Sequence, residues 1–133
     1  MHSVRAFNLF FMMVMGLALA ACSGGKPESV LETFYRAVAA GDVETAAKQI
    51  SYQRVPPAQM TQAKGKVQML VGEMQSRIQA NGGLDKVETI DVTMAEDGKT
   101  VTVNTRLKFQ NGKDHTQQHR LANEGGDWKI VLR

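Results

Sequence analysis

The stretch VETIDVTMAEDGKTVTVNTRLKF, Val87 to Phe109, decides the fold. Ile90, Val92 and Met94 alternate with Asp91, Thr93 and Ala95, and the alternation resumes at Val101, Val103, Thr105, Leu107 and Phe109. A period of two is the pattern of strands with one buried face. Asp97-Gly98, at the centre, is a tight hairpin signal. A turn there sets Met94 opposite Val101 and Val92 opposite Val103, so apolar side chains meet on one face and the register agrees with itself.

Downstream, Asn111-Gly112 turns the chain into a third strand, and Gly125-Gly126 into a fourth carrying Trp128, Ile130 and Leu132. The third strand is polar on both faces until Leu121. A two-residue turn at Asn111-Gly112 would put Thr116, Gln118 and Arg120 on the face of Val103 and Leu107. A three-residue turn with a glycine bulge flips the parity and puts His115, Gln117, His119 and Leu121 there. The bulged register is expected, because it buries Leu121 rather than Arg120, with Leu121 opposite Ile130 on the Trp128 face.

Upstream the period is helical. Val30, Leu31, Phe34, Tyr35 and Val38 form one stripe of a helix that opens at Pro27 and stops at Gly41. Asp42 then caps a short helix with Val43, Ala46, Ala47 and Ile50 inward. After Pro56-Pro57 a long helix is predicted over 58–80, burying Met60, Val67, Leu70, Val71, Met74 and Ile78, with Gly65 a weak point. The expected fold class is α+β: amino-terminal helices packed on a curved four-stranded antiparallel sheet, with Phe34, Leu70, Met74, Val103, Leu107, Trp128 and Ile130 in one core.

The amino end carries a different signal. Arg5 precedes an apolar run from Ala6 to Ala21 that closes on Leu19-Ala20-Ala21-Cys22. A charged start, an apolar middle and a small-residue end make a secretory signal peptide. The run is shorter than the ~20 apolar residues a membrane-spanning helix needs. The last four residues resemble the lipobox of bacterial lipoproteins, in which the cysteine is acylated, palmitate included, and becomes residue one after cleavage. The resemblance implies lipidation at Cys22 and a bacterial cell-envelope location. By the sorting pattern of enteric-type lipoproteins, the resemblance with Ser23 after the cysteine implies the outer membrane, facing the periplasm, over the inner membrane. The expected organisation is a signal peptide over 1–21, a lipidated tether over 22–26 and a single α+β domain over 27–133. Ser23 to Lys26 reach at most ~14 Å when extended, which holds that domain close to its bilayer.

A second resemblance spans most of the domain. The opening helix runs into Ala39-Ala40-Gly41-Asp42 and a second helix of small residues, and the chain ends on Gly126-Asp127-Trp128-Lys129-Ile130. This is similar to the nuclear-transport-factor-2-like superfamily (cystatin-like and lumazine-binding-like domains). It is most similar to the small bacterial lipoproteins of unknown function that carry such a domain. The resemblance implies a sheet curled into a cone or roll around a helix, often with a pocket inside. Some members are isomerase- or dehydratase-like enzymes, and others bind ligands or partners without catalysis.

Composition narrows the chemistry. The formal net charge is +3, and +2 once Arg5 leaves with the signal. The bases are scattered, so nucleic acid is not indicated, and a solvated surface is favoured over one that meets anionic headgroups. Cys22 is the sole cysteine, and acylation would remove it from thiol, disulfide and metal chemistry. His115 and His119 stand ~13 Å apart if they lie on one strand, too far to share a metal ion. Neither has an evident inward carboxylate to orient it as a general base. No phosphate-binding loop, nucleophile elbow or zinc-protease motif occurs. The candidate pocket residues are therefore His115, Gln117, His119 and Trp128, with no catalytic residue, metal or cofactor assigned. The expected role is a lipid-anchored, non-catalytic module that binds a membrane-proximal protein or a small apolar ligand. The alternative is a small cone-fold enzyme, isomerase- or dehydratase-like, using a polar residue of the concave pocket.

Overall fold

The computed structural model describes residues 25–132. Helix α1 spans Pro27–Ala40 and α2 spans Val43–Lys48; a 3-10 turn, Pro57–Gln59, leads into α3, Met60–Ala80. Strands β1 (Leu84–Met94), β2 (Thr100–Phe109), β3 (Asp114–Glu124) and β4 (Asp127–Val131) form one antiparallel sheet in the order β1-β2-β3-β4. The class is α+β, helices followed by a curved, open four-stranded sheet, as the period switch at the end of α3 predicts.

The helix ends follow their local chemistry. Pro27 occupies the first turn of α1, where its missing N–H costs no bond. Gly41 ends α1 at φ 74°, a left-handed conformation, and a Cβ there would also meet Gln75 Nε2 of α3 at 2.7 Å. Position 41 is thus both a cap and a close helix–helix approach. The Asp42 carboxylate accepts from the Thr45 N–H at 3.1 Å and starts α2, and hydrogen bonding from the Thr45 side chain and then its backbone holds the Asp42 pKa below the usual carboxylate value. The expected weak point at Gly65 leaves no break: α3 is continuous through Gly65 and Gly72.

The hairpin registers are those expected. Met94 faces Val101 and Val92 faces Val103. Leu107 faces His115, Val103 faces His119 and Val101 faces Leu121. Gly112, at φ 86°, supplies the left-handed residue that a three-residue turn between Phe109 and Lys113 requires, and it sets the parity of β3. The turn is tied to the end of α3 by Asn111 N–H to Asn81 O at 3.1 Å and Gln110 N–H to Gly83 O at 2.9 Å. Leu121 faces Ile130 across the Gly125-Gly126 turn.

Leu31, Phe34, Tyr35 and Val38 of α1 are buried with Val67, Val71 and Ile78 of α3 and the inward faces of β2, β3 and β4. Three expectations need correction. Trp128 is half-buried against the core rather than inside it, and Leu70 and Met74 are likewise half-buried. The apolar residues of β1 also do not enter the core along its far half. A bulge between Thr89 and Asp91 displaces Ile90, and beyond it Val92 is 41% and Met94 55% exposed. The sheet curls, so its central strands are covered while the end of β1 runs past the helices.

The two sheet edges differ. Beside β4, Ile130 N–H donates to Gln49 O and Ser51 N–H to Ile130 O, both at 2.7 Å, so the segment after α2 closes that edge. Beside β1, charged side chains and the bulge are the features that guard an edge against unwanted pairing.

Candidate functional site

His115, Gln117 and His119 share the inward face of β3 with Leu121, as the bulged register demands. They do not share a cavity. The Tyr35 hydroxyl, fully buried on α1, lies 2.5 Å from His119 Nε2 and 3.2 Å from Gln117 Oε1, and the two rings are 5.5 Å apart. Burial pushes the His119 pKa down to about 4 and raises that of Tyr35 above the usual phenol value. Both side chains are therefore uncharged at neutral pH. The Tyr35 hydroxyl can donate to Gln117 Oε1, and it is also hydrogen-bonded to His119 Nε2, an imidazole nitrogen that donates or accepts according to its tautomer. Thr105, buried on the neighbouring strand and facing Gln117, has a hydroxyl without a partner. Tyr35 and His119 are bonded to each other inside the curl of the sheet and line neither adjacent cleft, whereas Gln117 is exposed.

His115 and Gln117 instead edge a small cleft of about 120 Å³ under α3, with Leu70, Glu73, Met74 and Arg77. Trp128 faces Asn123 at the other end of β3 and lines neither cleft. Cys22 lies outside the described residues.

The roomier feature was not legible in the sequence. A cleft of about 610 Å³ opens between the segment 50–55, the first half of α3 and the end of the sheet where β2 begins and β3 and β4 finish. Val67, Leu70, Ala122 and Val131 give it apolar walls. Arg54, Lys66 and Arg120 line it from three separate elements, and Asp97 is its one lining carboxylate. Among the described residues, none of these three cations forms an ion pair, whereas Arg36, Lys48, Arg106 and Lys108 each do. Tyr52, also on the wall, keeps a shielded hydroxyl without a partner, and burial raises its pKa. Three bases at positions 54, 66 and 120 read as scattered in the chain; only the packing of α3 beside the strand ends brings them to one opening.

Ser51 lines the same cleft, and its hydroxyl donates to the Glu124 carboxylate. Among the described residues there is no cluster of three or more His, Cys, Asp or Glu placed to hold a metal ion. No helix among them is long and apolar enough to cross a membrane.

Comparison with known proteins places the architecture. A crystal structure from Campylobacter jejuni, provisionally called an NTF2-like transpeptidase, superposes with a TM-score of 0.73 over 82% of this chain and 100% of its own, at 17% identity. The fold is NTF2-like. The intermembrane space region of the chloroplast protein ARC6 also matches, over 79% of this chain and 89% of its own, at 13% identity and a TM-score of 0.42, too low to carry an argument. No curated protein sequence matches the chain. Residues 20–131 match the model of a family described as a domain of unknown function, DUF4878, and the chain belongs to that family.

Proposed function

We propose that the protein is a lipoprotein of the bacterial envelope, anchored by lipid on Cys22 and facing the periplasm from the outer membrane, whose NTF2-like domain binds a ligand or partner without catalysis. The anchor rests on Leu19-Ala20-Ala21-Cys22. The binding role rests on one observation: three bases without ion-pair partners among the described residues, Arg54, Lys66 and Arg120, converge on an apolar-walled cleft, while the titratable pair in the concavity, Tyr35 and His119, is uncharged and mutually bonded. A general base works with its nitrogen free to reach substrate, and here Nε2 is already engaged by the phenol. The likeness to the Campylobacter protein, at 17% identity, contributes the fold and not an activity.

Cys22→Ala tests the anchor. Cells fed an alkyne analogue of palmitate should label the wild-type chain and not the variant, and the variant should leave the membrane fraction. Labelling that survives the substitution sinks the anchor. A flexible insertion of some twenty residues after Gly25 then asks whether closeness to the bilayer matters. Loss of function with lipidation and folding intact means that it does.

A further inference from the structure

We infer that the larger cleft takes a single-chain amphiphile with an anionic head, the acyl chain lying along Val67, Leu70 and Val131 and the carboxylate or phosphate among Arg54, Lys66 and Arg120. The inference rests on the binding-module reading and is independent of the anchor.

Three cations and one carboxylate, Asp97, leave the cleft with a local formal charge of +2. Like charges gathered at one opening repel each other, and an anion placed among them relieves the repulsion. Some bases of the domain are held by carboxylates: Arg36 by Glu32, Lys48 by Glu44, and both Arg106 and Lys108 by Glu88. Among the described residues other exposed bases, Lys64 and Lys86 included, also lack an ion pair; what sets the cleft apart is that Arg54, Lys66 and Arg120 converge from separate segments on one apolar-walled opening. An inorganic anion would satisfy the charge and leave the apolar walls wet. An uncharged hydrocarbon would satisfy the walls and leave the charges facing each other. An anionic amphiphile satisfies both, and about 610 Å³ lies in the ~300–1,000 Å³ range of small-molecule sites. Arg54 and Arg120 can each grip a carboxylate or phosphate through two parallel N–H donors, and Lys66 adds a point charge. The head group has two sources, a free fatty acid or an anionic lysophospholipid, and the chemistry of the cleft is the same for both.

The test uses the full chain in phosphatidylcholine vesicles with three photoactivatable probes of equal chain length: diazirine palmitate, diazirine lysophosphatidylglycerol and diazirine hexadecanol. Adducts are mapped by mass spectrometry. Either anion should label residues 50–55, 63–70 and 120–132 at least about tenfold more than the alcohol, and the stronger of the two names the source. Shortening the preferred anion should weaken competition about fourfold per methylene, equivalent to ~0.8 kcal/mol. Arg54→Gln, Lys66→Gln and Arg120→Gln together should bring anion labelling down to the alcohol level without moving the melting temperature. The charge-conserving pair Arg54→Lys and Arg120→Lys should keep most of it. Equal labelling by the alcohol, adducts spread over the surface, or labelling unchanged in the triple Gln variant would overturn the inference. Occupancy of the cleft by a protein segment in cross-linked cells, with no effect of added palmitate or lysophosphatidylglycerol, would overturn it as well. Cys22→Ala should leave the labelling unchanged, so loss of the anchor and failure of the cleft are separate results.

Discussion

Tyr35, Gln117 and His119 sit inside the curl of the sheet, while Arg54, Lys66 and Arg120 stand around the cleft at its end. In the first set Tyr35 is fully buried, His119 is half-buried, and exposed Gln117 borders them; the three are hydrogen-bonded within the chain. The second keeps its charges in solvent, without ion-pair partners among the described residues. In a chain read by residue type, the histidines look chemical and the scattered bases look bland. Partner accounting reverses that order. A buried polar group that is bonded contributes to a defined fold, and a gathered set of unpaired groups at an opening invites a ligand.

Breaking the first set should have the largest effect. Tyr35 is fully buried. Tyr35→Ala removes the buried ring and the partner of His119 Nε2, a loss of ~3–5 kcal/mol from a domain of ~5–15 kcal/mol. Urea unfolding measures it, and a midpoint near wild type would mean that the cluster is not where the fold is held. The next effect is in pH. The folded pKa of His119, about 4, lies below the ordinary value of 6.5. Its contribution is therefore fully present above 6.5 and declines as pH falls toward 4, because only the unfolded chain takes up the proton in that window. The slope should approach ~1.4 kcal/mol per pH unit, and His119→Gln should flatten it. A third change sharpens the contrast in the other direction. Thr105 buries a hydroxyl without a partner, so Thr105→Val should raise stability by ~1 kcal/mol. A fall instead would show that the hydroxyl is bonded. The smallest effect on stability belongs to the cleft. Arg54, Lys66 and Arg120 are exposed, and changing each to Gln should move stability within ~0.5 kcal/mol.

Much of the fold was legible because local signals agreed with one another. Pro27, Gly41 and Asp42 mark helix ends whose chemistry is contained within a few residues. The β3 register followed from one decision, whether Leu121 or Arg120 is buried, and Gly112 made the answer possible. Trp128 and the far half of β1 were misplaced because alternation says which face a side chain takes and not whether anything covers that face. The curl of the sheet and the reach of the helices settle that, and neither is written in a window of ten residues. The site was less legible. The inward face of β3 was found, since it depends on parity alone. That Tyr35 would close over His119 depended on where α1 docks. The cleft was missed because its three cations come from separate elements and share no motif.

Complementation of a deletion strain tests the central claim most directly, with two variants compared at equal protein level and equal melting temperature. One carries His115→Gln with His119→Gln; the other carries Arg54→Gln, Lys66→Gln and Arg120→Gln. The histidine variant should complement as wild type does, and the cleft variant should fail. A folded histidine variant that loses function, beside a cleft variant that retains it, would contradict the account and return the concave pocket to an enzyme.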